Sequence, residues 1–302
     1  MPKSFIVDDE YNDSRLDKWF KNKILSLPHS LIEKIIRQNK IKVNKKKTKS
    51  SYRLQLGDLI EIYDISKLKP TDNEKKIKYL PKRKEISKYD DYIIEDNENF
   101  LVINKPTGIP VQSGTKSFKN MIDILKETKY FQNSKPYIVH RIDKETSGIL
   151  LIAKNRKYAQ LFTSLFRIRK IHKTYLAIVY GEVDASIKTM RDDLVYYENN
   201  RKITQKAISN FKVIKSNQAY SFIELNPITG RKHQLRKQLL NIGNPIIGDE
   251  KYFLKESKRV KIKNLMLHAY KIKFMINNVK YNFKAKYDKS FEDFLKKIFK
   301  NY

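Results

Sequence analysis

Residues 140–155 read HRIDKETSGILLIAKN, and this stretch decides how the rest of the chain is understood. The unbroken apolar run Ile149 to Ile152 marks a buried strand. Directly before it, Asp143 lies between Arg141 and a turn made by Thr146, Ser147 and Gly148. A carboxylate at the entrance to a strand is held rigidly while it stays open to a cleft, a seat suited to a nucleophile or a base. The plainer alternative is an Asx-type turn in which Asp143 accepts backbone hydrogen bonds.

Working outward, residues 92–94 and 100–106 predict strands, residues 108–114 an irregular loop, and Met121, Ile122, Ile124 and Leu125 fall at helical spacing. Beyond the turn, residues 158–167 predict a helix and KTYLAIVYG (173–181) a strand closed by glycine. Further strands follow, then a final helix over residues 291–299. Runs of strands with few helices, without strict alternation, point to an α+β fold. Seven of the eight glycines lie in this half, at the ends of elements, and no GxGxxG or GKS/GKT pattern occurs. That absence argues against a nucleotide-binding loop and against a methyltransferase cofactor site.

A second dense block is LNPITGRKHQLRKQLLNIGNPIIGDEKY (225–252). Thr229-Gly230 makes a turn, and from about Lys232 a helix carries Leu235, Leu239 and Leu240 together with Arg231, Lys232, Arg236 and Lys237. Either this is an amphipathic helix with a solvated basic face, or one guanidinium turns inward and pairs with Asp143. Arginine suits the second role, because it stays charged and grips a carboxylate in a fixed fork.

Residues 14–62 form a separate pattern. Leu16, Trp19, Phe20 and Ile24 fall at helical spacing, and a second helix follows Pro28, with Ser30 as the expected N-cap, Glu33 completing a capping box, and Leu31, Ile32, Ile35 and Ile36 as its apolar stripe. Asn39 is suited to the left-handed backbone that ends this helix. Ile41 and Val43 begin a strand, and Leu54, Leu56, Leu59, Ile60 and Ile62 predict further strands around Gly57-Asp58. Residues 67–90 are charge-rich, interrupted by Pro70 and Pro81, and read as a basic linker.

The net charge of +31 with an isoelectric point near 9.9 calls for a polyanionic partner. Nineteen tyrosines and fifteen phenylalanines beside these lysines suit unstacked RNA bases, although most rings must be core. No basic stretch shows the amphipathic pattern that an anionic membrane surface needs. The chain has no cysteine, which excludes disulfides, thiol nucleophiles, thiolate zinc sites and the zinc base deaminases. His140, His233 and His268 have no ligand spacing, so structural hydrogen bonding, and no metal, is expected of them. The start lacks a signal-peptide core and no run of about eighteen apolar residues occurs, so a cytoplasmic protein is expected.

SRLDKWF, IRQNKIKVN and LGDLIEI, in that order, resemble the S4 RNA-binding domain. The resemblance implies that the second helix and adjoining loop face RNA, presenting Lys34, Arg37, Lys40 and Lys42. Asn39 and the lysines after Asn44 stand where this family commonly has glycine. HRIDKETSGILLIAKN, KTYLAIVYG, the TGRKHQLRKQLLNIGNPIIGD block and Leu267-His268-Ala269 with Phe274 are similar to the successive motifs of the RluA-type pseudouridine synthases. Ile142 and Lys232 are small departures from that pattern.

Together these imply an S4-type α/β module over residues 1–66, a basic linker over 67–90, and a catalytic domain over 91–302 built on a mixed, largely antiparallel β-sheet. The implied activity is isomerisation of uridine to pseudouridine, without cofactor or metal, in large-subunit ribosomal RNA; transfer RNA is the alternative target. By resemblance Asp143 is the catalytic aspartate, acting as a nucleophile at the sugar or as a base on a ribose proton. Arg141 fills the gap left by the flipped uridine, and Tyr175 packs on the base and helps take the C5 proton. Leu235 closes the apolar side, and Arg236 pairs with Asp143. A monomer is expected. A non-catalytic RNA-binding relative would be expected to lack Asp143, Tyr175 or Arg236, and all three are present.

Overall fold

The computed structural model describes residues 2–65, 79–82, 86–113, 119–198, 201–254 and 262–299. The chain forms two compact units, Met1–Lys78 and Tyr79–Tyr302. Of the stretch read as a linker, residues 67–78 and 83–85 lie outside the described residues, whereas Tyr79 and Tyr89 pack on the core of the second unit.

In the first unit, β1 (Lys3–Ile6), α1 (Leu16–Lys23), α2 (His29–Arg37), β2 (Ile41–Val43), β3 (Lys46–Lys47) and β4 (Leu59–Ile62) give an antiparallel sheet of order β1-β4-β2-β3. Leu16, Trp19 and Phe20 of α1 and Ile32, Ile35 and Ile36 of α2 are buried with Ile41, Val43 and Ile60. Helix α2 starts two residues earlier than the capping box predicts, with Pro28 rather than Ser30 at its N-cap. The carbonyl of Pro28 already accepts from the amides of Leu31 and Ile32, so Ser30 lies inside the helix, and Glu33 instead accepts from the Ser50 hydroxyl at 3.1 Å. Leu54 and Leu56 lie outside the strands; Leu54 is buried and Leu56 exposed. Asn39 is left-handed (φ 60°), as its position demands. The β2–β3 turn holds Asn44 and Lys45 at φ 49° and 62°, the backbone of a two-residue hairpin that usually takes glycine. Asn44 offsets the missing glycine: its amide donates to Asp58 at 2.7 Å and its carbonyl accepts from the Leu59 amide at 2.8 Å.

The second unit contains β5 (Ile93–Asp96), β6 (Phe100–Lys105), α3 (Met121–Lys126), β7 (Tyr137–Ile138), β8 (Ser147–Ala153) and α4 (Arg156–Arg167), followed by β9 (His172–Tyr180), β10 (Thr189–Glu198), β11 (Arg201–Ser216) and β12 (Tyr220–Pro227). Helix α5 (Gln234–Asn241), strands β13 (Leu267–Ile276) and β14 (Val279–Lys284) and helix α6 (Lys289–Ile298) complete it. One sheet runs β10-β11-β12-β9-β13-β8-β6-β5, with β14 on β13 and β7 on β8. All pairings are antiparallel except β13 with β8, so the sheet is mixed and largely antiparallel, an α+β fold.

The apolar run in β8 is continuous because both faces of the strand are covered. Leu150 and Ile152 pack with Met121, Ile124 and Leu125 of α3, while Ile149 and Leu151 pack with Phe162 of α4 and with Phe274. The other half of the sheet buries Leu176, Ile178, Phe222 and Ile223 with Leu239 of α5 and Phe291 and Leu295 of α6. The parallel seam runs through His268 opposite Ser147 and Ala269 opposite Gly148. Gly148 has φ 105°, and a Cβ there would lie 2.3 Å from the Ala269 carbonyl oxygen, so this approach requires glycine. Among the described residues no helix is long and apolar enough to cross a membrane.

Candidate active site

The loop from β7 to β8 carries Asp143 into a pocket of about 630 Å³ that Arg141, Tyr175, Leu235 and Arg236 also line. Backbone groups fix this loop: the Thr146 amide donates to the Asp143 carbonyl at 3.2 Å, the Gly108 amide to the Lys144 carbonyl at 2.9 Å, and the Thr107 hydroxyl to the Glu145 carbonyl at 2.8 Å. Beneath it, fully buried Lys105 donates to the carbonyls of Pro106 (2.8 Å), Ile109 (2.9 Å) and Lys144 (3.1 Å). Burial pulls the Lys105 pKa down to about 7, against the charges of Glu145 and Asp143. Its three carbonyls match the three N–H donors of the ammonium form.

The Asp143 carboxylate faces Nη1 of Arg236 at 3.5 Å and Nε2 of His233 at 3.8 Å. Arg236 is on α5 and nearly buried, but its fork belongs to another residue. Nε and Nη2 each donate at 2.7 Å to the two oxygens of Asp249, whose side chain is fully buried. The expected ion pair is therefore the outer contact of a cation already held in place. Burial works against the Arg236 charge, and the hydrogen bond and charge of Asp249, then the charge of Asp143, hold its pKa above the ordinary value. Asp249 also accepts from the amides of Lys251 and Tyr252, both at 2.9 Å, and the Tyr252 ring lies under the guanidinium at 5.0 Å.

Tyr175, on β9, faces the same pocket. Burial, then the charge of Asp143, pushes its phenol pKa upward, so the hydroxyl keeps its proton at neutral pH and presents a donor and a flat apolar face. Leu235 is buried at the pocket wall and Arg141 is exposed at its rim. Of the three histidines, two are structural. His140 accepts from the Leu151 amide at 2.8 Å, and His268 contacts the Ser147 hydroxyl at 2.9 Å. His233 differs, because its Nδ1 meets the Tyr252 hydroxyl at 2.9 Å while Nε2 faces Asp143. Burial lowers its pKa, Asp143 raises it, and Arg236, Lys251 and Lys232 lower it again.

Asp143, Tyr175, Leu235, Arg236 and Arg141 thus converge on one pocket from separate segments. Asp249, Tyr252, His233 and Lys105 belong to its walls and supports and were not anticipated. The signal for Asp249 was a carboxylate directly after Gly248 at the end of the helix-bearing block. In the first unit, Lys34 and Arg37 are exposed on α2, half-buried Lys40 donates to the Asp64 carbonyl at 3.2 Å, and Lys42 lies over the Tyr63 ring at 5.0 Å. Among the described residues no group of three or more His, Asp or Glu side chains is arranged to hold a metal ion.

The model of the RNA pseudouridylate synthase family matches residues 99–241, and that of the S4 domain residues 14–60. The chain belongs to the RNA pseudouridylate synthase family and is an RNA pseudouridine synthase. It is 31% identical to ribosomal large subunit pseudouridine synthase C of Vibrio parahaemolyticus, over 89% of this chain and 87% of that protein. To the protein of the same name from Rickettsia conorii it is 37% identical, over 85% of this chain and 87% of that protein. Among solved structures, human RNA pseudouridylate synthase domain containing 4 aligns with 68% of this chain and 92% of its own, with a TM-score of 0.58 at 25% identity.

Proposed function

We propose that this enzyme converts specific uridines of large-subunit ribosomal RNA to pseudouridine, acting in the cytoplasm as a monomer without metal or cofactor. The target class rests on the names of the relatives that cover most of both chains. The chemistry rests on one observation, an open carboxylate beside a cation that a second, buried carboxylate holds in place.

In this reading the pocket receives a uridine turned out of its stack, at a cost of a few kcal/mol that contacts of the basic surface offset. Arg141 at the rim fills the vacated space, as a planar guanidinium stacks on bases. Asp143 acts at the ribose, as nucleophile or as base. The N1–C1′ bond breaks, the uracil turns, C5 bonds to C1′, and the proton lost from C5 is balanced by one gained at N1. Nothing else enters or leaves, so no redox partner is required. Tyr175 packs on the base and Leu235 closes the apolar side. Since its phenol is protonated, Tyr175 assists at C5 by relaying a proton. The first unit, with Lys34, Arg37, Lys40 and Lys42, supplies a separate RNA contact.

Pseudouridine mapped across total RNA from cells lacking this protein tests the target. Loss at one or more large-subunit positions is expected, whereas a site lost from transfer RNA alone would assign the other substrate.

A further inference from the structure

Lys173 is a charged wall residue that the reaction as described leaves unused. It stands on β9 two positions before Tyr175, so both side chains point to one face of the sheet, and both line the Asp143 pocket. Their separation along the strand is about 6–7 Å, comparable to the span of a nucleotide from base to phosphate.

Its surroundings set it apart from the other enclosed cations. Lys105 has three carbonyls and Arg236 has Asp249, but the ammonium group of Lys173 makes no hydrogen bond or ion pair among the described residues. Opposite it stands Gly230, where even a Cβ would come within 3.8 Å of the ammonium nitrogen, and the missing side chain leaves that side open. Burial lowers the Lys173 pKa with no carboxylate opposing it, and its charge helps keep His140 neutral. A half-buried cation without a counter-ion is costly unless something anionic arrives with the substrate. The carbonyls of uracil would satisfy its hydrogen bonds without compensating its charge, whereas a phosphate does both.

We propose that Lys173 is a phosphate-binding residue of the pocket, gripping one of the two backbone phosphates that flank the extruded uridine. The proposal rests on the placement of that uridine at Asp143. Through this contact the pocket reads the RNA chain as well as the base, and a free nucleobase or nucleoside would forfeit it.

The test uses the full-length enzyme and an RNA stem-loop carrying the uridine it modifies, unaltered or with one methylphosphonate on the 5′ or the 3′ side of that uridine. Binding to wild type, Lys173→Met and Lys173→Arg is measured by titration. Lys173→Met should weaken binding of the unaltered RNA about tenfold and reduce the dependence of log Kd on log salt by about one phosphate. One methylphosphonate should weaken wild type similarly, and the two changes together should cost no more than either alone. Lys173→Arg should restore most of the affinity. Losses that multiply for both phosphates, or a wild-type enzyme indifferent to both methylphosphonates, would overturn the proposal, and the second result needs no variant that must fold. Unchanged affinity with slowed turnover in Lys173→Met would move the contact to the base and also overturn it. Conversion of the unaltered RNA by wild type is scored separately, so failure of the reaction is distinguishable from failure of the phosphate contact.

Discussion

In the proposed reaction Asp143 is the acting carboxylate, and the geometry around it depends on Asp249. Replacing Asp143 by Asn keeps its shape and removes its charge, so RNA affinity should stay close to that of wild type while turnover falls by at least about a thousandfold. Single-turnover conversion at saturating RNA, with a parallel binding titration, checks this. Asp249→Ala acts differently, because it leaves the buried Arg236 guanidinium with only its longer contact to Asp143. Breaking a buried pair from one side costs about 3–5 kcal/mol of stability. Denaturant unfolding should show that loss, and kcat should fall more than KM rises. Loss of activity without loss of stability would mean that Asp249 is not what secures Arg236. Asp143 was legible in the sequence because its turn runs into a strand that announces itself. Asp249 was not, because α5 and a glycine turn separate it from Arg236, and their pairing exists only once α5 has packed on the sheet.

At the scale of elements, the seam between β8 and β13 governs whether the Asp143 loop is placed correctly. Gly148→Ala must push a Cβ into the Ala269 backbone and hold an unfavourable φ, which should cost about 3 kcal/mol. A lowered Tm together with reduced kcat is the expected result. The same seam makes stability depend on pH. His268 is fully buried on β13, and burial lowers its pKa from 6.5 to about 4, with the Ala285 carbonyl and Asp288 opposing. The unfolded chain takes up this proton below about 6.5 and the folded chain only below about 4, so stability falls as pH drops through that window. Between pH 7 and pH 5 the loss from His268 should be about 2 kcal/mol. His140, lowered to about 3 by burial and by Lys173, acts in the same direction. Urea unfolding at the two pH values measures this, and equal stabilities would contradict it. Strands and helices of this unit were readable from period and length. The capping box at Ser30 misled because Pro28 begins the turn of α2 with its carbonyl, a contact that no side-chain pattern records.

On the scale of the whole molecule, charge is the dominant property. A net +31 over two units, each with its own core, predicts RNA affinity that falls steeply as salt rises. Enzyme truncated to residues 79–302 should convert a short RNA at near the full-length rate and lose its preference on long RNA. Rates for both substrates, with and without the first unit, check this, and equal losses on the two would contradict it. The order of the large sheet was beyond the sequence, since local periodicity does not specify that β13 lies between β8 and β9.

That placement has a mechanical consequence. With two main chains touching at Gly148 and Ala269, the loop bearing Asp143 is bolted to the half of the sheet that bears Tyr175, and neither can breathe alone. Amide protons of β8 and β13 should therefore exchange together in one slow cooperative opening, so that the enzyme loses its floor and its wall in the same event.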